Sequence, residues 1–154
     1  MKTKNVITLL AMLVATTIAV SCKKSSTTNP AAPTAGFIWK ENGGADITAD
    51  SAVYIFGTGG STQSYVEGYK GAKVVFHTQK FVEMNLKGNT PNTYTCGPGL
   101  SDFVYWVNDV PAIGTGTVKL TSNTGGKATG TFDITFTGAA VTTIKGSFTD
   151  IRTK

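Results

Sequence analysis

The chain has few of the side chains that metal sites and nucleophilic active sites need, with two cysteines and one histidine among its 154 residues. A zinc site needs three or four converging ligands, and a nucleophilic serine or cysteine needs a neighbouring base. His77 has no cysteine or carboxylate at ligand spacing, and nothing in the sequence brings it near Cys96. We therefore predict that the protein is not an enzyme and that it binds neither a metal nor a cofactor.

Long apolar runs are also lacking, which favours a cleaved signal over a transmembrane helix. Lys2 and Lys4 precede an apolar run from Val6 to Val20, which is shorter than the roughly 18 to 20 residues of a spanning helix. A basic start, a short apolar run and small residues at its end are typical of a secretory signal peptide. We predict a lipoprotein signal peptide over residues 1–21 and a lipid on Cys22.

Ordinary cleavage after Ser21 is the alternative, because small residues also stand where the general signal peptidase reads them. Cys22 would then be a free thiol, and a mobile tether could bring it to Cys96 for a disulfide. With a lipid on Cys22, Cys96 has no partner in the chain, and we expect it to be buried as a small apolar side chain.

Residues 22–35 contain no large apolar side chain, which predicts a disordered tether before a folded domain over residues 36–154. Removal of the signal takes away Lys2 and Lys4, so the net charge falls from +5 to +3. The lysines of the domain are scattered, so we predict no nucleic-acid partner.

The tether has no acidic run after Cys22. We predict a lipid-anchored protein of the cell envelope, at the outer membrane facing the periplasm, with the cell surface as the alternative.

Helical periodicity is absent from residues 36–154, whereas β-branched and aromatic residues recur in short runs separated by Gly, Asn and Asp. We therefore predict an all-β domain, a single antiparallel β-sandwich or flattened β-barrel of about 8 to 10 strands. The predicted strands are 37–40, 52–57, 64–69, 73–78, 80–87, 93–96, 102–108, 116–122, 128–137 and 141–151.

The clearest strand pattern lies near the C-terminus. Phe132, Ile134 and Phe136 alternate with polar residues, which predicts a half-buried antiparallel strand. The Asn-Thr-Gly-Gly sequence before it predicts a hairpin turn, and a second turn leads into the last strand, so the last three strands are predicted to form a meander. Residues 52–56 and 103–107 are apolar on both faces, which predicts two strands in the middle of a layered structure.

Several short segments together carry a family resemblance. They are the lipobox at Cys22 with its Ser/Thr tether, the Trp-containing segment 37–44, segments 49–52 and 69–71, the Thr-Gly-Thr-Phe hairpin at 129–132, and the Gly-x-Phe strand at 146–151. In these segments the chain resembles small Bacteroidetes-type lipoproteins. The resemblance covers most of residues 36–154, and it implies the fold without implying any catalytic residue, because such families are mostly domains of unknown function.

Other patterns that could carry chemistry have simpler structural interpretations. Residues 57–62 are rich in Gly, but they lack the Lys and the following helix of a phosphate-binding loop, so we interpret them as a strand connection. Asp46 and Asp50 are interpreted as turn residues rather than as cation ligands. No spacing singles out two carboxylates for glycoside hydrolysis.

Aromatic side chains are the remaining candidates for a binding surface. Tyr and Trp offer flat apolar faces with polar tips that suit glycans and small ligands, although they also fill β cores. Trp106 and Tyr105 are adjacent in one strand, so both cannot point into the same layer. We predict ligand binding at Trp106 or Tyr105, and next at Tyr65 and Tyr69, which flank Glu67.

Two functions follow from these observations. The first is a membrane-anchored envelope lipoprotein that acts as a non-catalytic structural or interaction module, with the membrane and an envelope protein or glycan as partners. The second is a β-domain that binds a glycan or a small hydrophobic ligand. The first predicts a solid core and a polar outer face, whereas the second predicts a cavity or groove lined by the named aromatic residues.

Overall fold

The computed structural model describes residues 36–57, 62–71 and 80–153. The signal peptide, the tether with Cys22, His77 and the predicted strand at 73–78 lie outside these residues. No helix within the described ranges is long and apolar enough to pass through a bilayer. Their regular structure is a set of strands: β1 Gly36–Glu41, β2 Asp46–Thr48, β3 Ser51–Phe56, β4 Ser64–Lys70, β5 Lys80–Leu86, β6 Asn92–Cys96, β7 Asp102–Val107, β8 Val110–Thr124, β9 Lys127–Thr135 and β10 Thr143–Arg152.

The strands form one antiparallel sheet in the order β2-β1-β10-β9-β8-β7-β5-β4-β3. Strand β8 is long enough to pair with different strands along its length. Its residues 110–114 pair with β7 and its residues 115–124 pair with β9, while β6 pairs with β8 between Gly116 and Leu120. The sheet curls into a half-barrel, and its last strand, β3, approaches the end of β10, where Tyr54 forms a bridge with Thr153.

This architecture confirms the predicted all-β, antiparallel fold class, and the described strands form one curled sheet. It also confirms the C-terminal meander, because β8, β9 and β10 are consecutive neighbours in the sheet. The hairpin turn between β8 and β9 lies where the Asn-Thr-Gly-Gly sequence predicts it. Gly125 and Gly126 occupy this turn with φ angles of +61° and +70°, which glycine adopts at little cost.

The inner face of the curled sheet carries the core. Aromatic rings from the two parts of the sheet meet there, such as Trp39 of β1 and Tyr105 of β7, whose ring centroids lie 6.4 Å apart. Buried aromatic rings each remove a large apolar area from water, so this contact stabilises the curl. The largest fully buried side chains are Trp39, Tyr54, Tyr105, Phe37, Phe103 and Phe148.

Strand β8 begins at Val110 rather than at the predicted residue 116. Asn108 and Asp109, with φ angles of 49° and 65°, form a tight turn that joins β7 directly to β8. Pro111 and Gly114 obscured the strand pattern in the sequence. Pro111 is tolerated because, within the described residues, this part of β8 pairs only with β7 and leaves its other edge open.

One short strand was not predicted. The three-residue strand β2 was missed because it is too short to show an alternating pattern, and the sequence indicated only a turn around Asp46. Strand β3 is the last strand in the sheet order, and its Tyr54 is fully buried because the curl brings β3 near the end of β10. Strand β7 lies between β5 and β8.

Candidate binding surface

The outer surface of the sheet differs between its two halves. On β9 the outward side chains are Thr131, Asp133 and Thr135, and on the neighbouring β10 Lys145 lies opposite Asp133. The Lys145 ammonium lies 2.7 Å from the Asp133 carboxylate, and a similar pair joins β1 to β2. This half has the polar outer face that is typical of an antiparallel sheet in contact with water.

The other half presents aromatic, aliphatic and acidic side chains instead. The register of β3, β4, β5, β7 and the start of β8 aligns these outward residues in rows across the strands. We refer to three rows together as the acidic aromatic face: Tyr69, Phe81 and Trp106 in the first, Glu67, Glu83, Val104 and Ile113 in the second, and Tyr65, Asn85 and Asp102 in the third.

The first row of this face is aromatic. Tyr69 stacks on Phe81, with 4.3 Å between the ring centroids and 12° between the ring planes. Trp106 is the direct neighbour of Phe81 on the other side. Because adjacent strands lie about 4.8 Å apart, Tyr69 and Trp106 are roughly 10 Å apart. Both are half-buried, so the row is an apolar strip with two polar tips.

Two carboxylates, Glu67 and Glu83, are direct cross-strand neighbours in the second row. Like charges in this position repel each other. The Tyr69 hydroxyl donates a hydrogen bond to Glu67 Oε2 at 2.6 Å, and Trp106 Nε1 makes a longer contact of 3.4 Å with Glu83 Oε2. Burial raises the pKa of Tyr69, and the hydrogen bond to Glu67 and the charge of both carboxylates raise it further. Tyr69 therefore keeps its proton and donates a hydrogen bond to Glu67.

A pocket of about 150 Å³ opens on the acidic aromatic face between β5, β7 and β8. Val104 and Ile113 form its apolar walls, and Glu83, Asn85 and Asp102 supply polar atoms. The Oδ1 atom of Asn85 is shielded from solvent and has no hydrogen-bond partner among the described residues. The pocket therefore presents hydrogen-bond acceptors beside apolar surface, which suits a ligand that donates hydrogen bonds.

The carboxylates of this face lack the cationic partners that other acidic residues have. Glu67, Glu83 and Asp102 form no ion pair with any residue in the described ranges. Among the described residues, therefore, no cation compensates the negative charge of the acidic aromatic face. Five other carboxylates are each within ion-pair distance of a lysine: Glu41, Asp46, Asp50, Asp133 and Asp150.

A second cavity, of about 320 Å³, opens at the seam between β1, β3 and β10. Its acidic residues are already paired, because Asp50 accepts a hydrogen bond from Lys70 Nζ at 2.8 Å and Asp150 lies 3.4 Å from Lys127. The hydrogen bonds from Lys70 and from the Gly71 amide lower the pKa of Asp50. The seam therefore offers fewer unpaired groups to a ligand than the acidic aromatic face.

The structure brings Tyr65, Tyr69 and Trp106 together on the acidic aromatic face. Tyr105 lies on the opposite side of the sheet, where it is 1% exposed and its hydroxyl donates a hydrogen bond to Glu41. Burial and this hydrogen bond raise the pKa of Tyr105. The expectation that Tyr105 contacts a ligand is therefore corrected, because alternation along β7 directs its side chain into the core.

The other residues considered in the sequence have structural roles or lie outside the described ranges. Asp46 and Asp50 pair with different lysines. Cys96 is 2% exposed, and burial together with the charge of Asp102 raises the pKa of its thiol to about 11. Within the described ranges, no three His, Cys, Asp or Glu side chains converge closely enough to hold a metal ion.

The sequence did not reveal Glu83, Asn85 and Asp102 as members of a common surface. Alternation along β4 could place Glu67 beside Tyr65 and Tyr69, since these residues are two apart. Their neighbours across the sheet depend on strand order. In the sheet, β6 pairs with β8, so β5 and β7 become neighbours although β6 lies between them in the sequence. The alternation of residues along one strand does not predict which strands become neighbours.

Comparisons with protein-family models, with curated proteins and with solved structures give no match to this chain. The candidate surface is therefore defined by the residues of this chain alone.

Proposed function

We propose that the chain is a membrane-anchored lipoprotein of the cell envelope and that its β-domain is a non-catalytic interaction module. The signal-like sequence at residues 1–21, followed by Cys22, supports the lipid anchor. The anchor would hold the domain at the outer membrane, facing the periplasm, and the cell surface is the alternative. The acidic aromatic face is the surface that we propose to contact the partner.

The observation that carries the interaction role is the contrast between the two halves of the outer sheet surface. A sheet face that meets only water has no need of Val104 and Ile113 as cross-strand neighbours, or of Tyr65 on the same face. Ile113 is 73% exposed, next to half-buried aromatic and aliphatic side chains. Grouped apolar and aromatic side chains with a polar rim are typical of protein contact surfaces.

The thiol of Cys96 supports a non-catalytic role. Only the thiolate is a strong nucleophile, and a pKa of about 11 keeps this thiol protonated at physiological pH. Its 2% exposure also denies access to a substrate. Cys96 is better explained as a core side chain.

The anchor is tested by the intact mass of the protein purified from its native membrane, compared with the Cys22→Ala variant. We expect the wild-type chain to begin at Cys22 and to carry the added mass of a diacylglyceryl group, and the variant to lack it. A wild-type chain that begins at Cys22 without added mass would contradict the anchor. It would indicate a secreted domain with two thiols.

A glycan is a second candidate partner for the same face. Tyr65, Tyr69 and Trp106 could stack on sugar rings, and the nearby carboxylates could accept hydrogen bonds from hydroxyl groups. A small hydrophobic ligand is less well supported, because the pocket of about 150 Å³ is smaller than the 300 to 1,000 Å³ that is usual for such sites.

The glycan candidate is tested by titrating the full chain with envelope oligosaccharides and following the side-chain NMR signals of the acidic aromatic face. We expect Tyr65→Ala to weaken binding while Thr131→Ala, on the polar half of the sheet, leaves it unchanged. Equal binding by both variants would exclude this face as the glycan site.

A further inference from the structure

We propose that the partner of the acidic aromatic face is a basic protein segment, which places a lysine or arginine side chain in the pocket beside Glu83 and Asp102. This inference rests on the proposed function, since it identifies the chemistry of the partner of an interaction module. Three observations support it: the face has carboxylates without an ion-pair partner among the described residues, the pocket has hydrogen-bond acceptors, and apolar side chains surround these acceptors.

Charge complementarity is the first argument. Glu67, Glu83 and Asp102 lie on one face without an ion-pair partner in the described part of the chain, whereas the polar half of the sheet pairs Asp133 with Lys145 across neighbouring strands. No lysine or arginine belongs to the three rows of the face. A cationic partner would relieve the repulsion between Glu67 and Glu83, so its binding is favoured electrostatically.

The donor and acceptor chemistry of the pocket gives the second argument. The carboxylates of Glu83 and Asp102 only accept hydrogen bonds, and the shielded Oδ1 of Asn85 is an acceptor without a partner among the described residues. Lysine and arginine side chains carry only donors together with a positive charge, so they match the two carboxylates. A sugar hydroxyl is an uncharged donor, and its hydrogen bond to a carboxylate is weaker than that of a cation.

The apolar walls of the pocket give the third argument. Val104 and Ile113 border the polar atoms, and the aliphatic stem of a lysine or arginine covers apolar surface while its charged head reaches the acceptors.

A protein segment fits this surface better than a small free cation because the apolar surface continues beyond the pocket. Ile113 is 73% exposed, and Pro111, which is also exposed, lies two residues away on the same face as the neighbour of Trp106. A free amine would leave these side chains in water. A peptide with apolar residues beside its basic ones would cover them.

The test uses the full chain in micelles of a non-ionic detergent and a synthetic peptide with the sequence Leu-Arg-Leu-Arg-Leu, capped at both ends. The matched probe replaces both arginines with citrulline, which has the same shape without the charge. Binding is followed by the methyl NMR signals of Val104 and Ile113 at low and high salt. We expect the arginine peptide to shift these signals, with an affinity that falls as salt rises, and the citrulline peptide to bind at least about tenfold more weakly.

The double variant Glu83→Gln with Asp102→Asn is expected to weaken binding of the arginine peptide by about tenfold or more. Asp46→Asn with Asp133→Asn is the matched control, because it removes the same net charge from the polar half of the sheet. The control is expected to change the affinity by less than about twofold. Native dispersion of the methyl signals shows that each variant is folded.

The inference is overturned if the citrulline peptide binds as tightly as the arginine peptide, if both double variants lose affinity equally, or if no methyl signal shifts. Equal affinity for spermidine would also overturn it, because the site would then select a small cation rather than a protein segment. If an oligosaccharide binds in a Tyr65-dependent manner while the arginine peptide does not, the interaction role of the face survives and the basic partner is wrong.

Discussion

The ring of Phe132 in β9 lies directly against Gly146, its cross-strand neighbour in β10. The relationship is reciprocal, since Phe148 of β10 covers Gly130 of β9. Two Gly-x-Phe triplets thus pair in opposite directions, and each phenylalanine fills the space that the other strand leaves empty. This pairing explains the Gly-x-Phe triplet in each strand, because each phenylalanine ring needs a cross-strand neighbour without a side chain.

We expect Gly146→Ala to destabilise the domain by about 1 to 3 kcal/mol, because the added methyl group would overlap the Phe132 ring and the Ile38 carbonyl. The measurement is the urea-unfolding midpoint. Thr131→Ala in β9 is the control, because its exposed side chain leaves the core unchanged. A midpoint for Gly146→Ala within error of the control would show that the ring can move aside without cost.

Alternation was sufficient to predict most strands, because apolar residues repeat every two positions on the inner face. It could not predict the long β8, since Pro111 and Gly114 interrupt the pattern where only one neighbour is present. The acidic aromatic face was less predictable than the strands. Tyr65 and Tyr69 could be assigned to one surface from β4 alone, but Glu83, Asp102 and Trp106 join them through long-range pairing that local sequence does not encode.

A second prediction concerns Asn42, which ties the β1–β2 turn to the loop before β10. Its Oδ1 accepts hydrogen bonds from Thr142 N at 2.8 Å, Thr142 Oγ1 at 2.9 Å and Thr143 N at 3.1 Å. Its φ angle is 49°, so glycine can replace it without backbone strain. Asn42→Gly therefore removes only the side-chain bonds, and we expect a loss of about 1 kcal/mol or slightly more.

Asn108→Gly is the matched control for this variant. Asn108 also has a φ angle of 49°, and its side chain makes no hydrogen bond within the described residues. We expect its stability to change by less than about 0.5 kcal/mol. Both variants are compared by thermal unfolding. An equal loss in the two would mean that the backbone conformation, rather than the Asn42 side chain, determines the stability of these turns.

A third prediction follows from the buried thiol of Cys96. Its pKa is raised from 9.0 to about 11, so the folded state keeps the proton over a pH range in which the unfolded state loses it. The stabilising contribution of the protonated thiol is complete below about pH 9, and it decreases as the pH rises toward 11. We expect wild type to lose more stability than Cys96→Ala between these pH values, as measured by urea unfolding.

Alkylation of the same thiol is an independent measurement. In the Cys22→Ala chain, where Cys96 is the remaining cysteine, we expect iodoacetamide to react slowly at neutral pH and rapidly once urea unfolds the domain. Rapid labelling of the folded protein at neutral pH would contradict the buried, protonated thiol.

The final prediction compares Tyr105 and Trp106, which are adjacent in β7 but lie on opposite faces of the sheet. Tyr105 is 1% exposed and packs on Trp39 and Phe136, so Tyr105→Ala would leave a large cavity and cost about 3 to 5 kcal/mol. Trp106 lies half-buried on the outer face, and we expect Trp106→Ala to cost less than about half as much. Urea unfolding followed by far-ultraviolet circular dichroism measures both. If Trp106→Ala unfolds the domain as Tyr105→Ala does, Trp106 is a structural residue, and the acidic aromatic face loses one of its three half-buried rings as a contact for a partner.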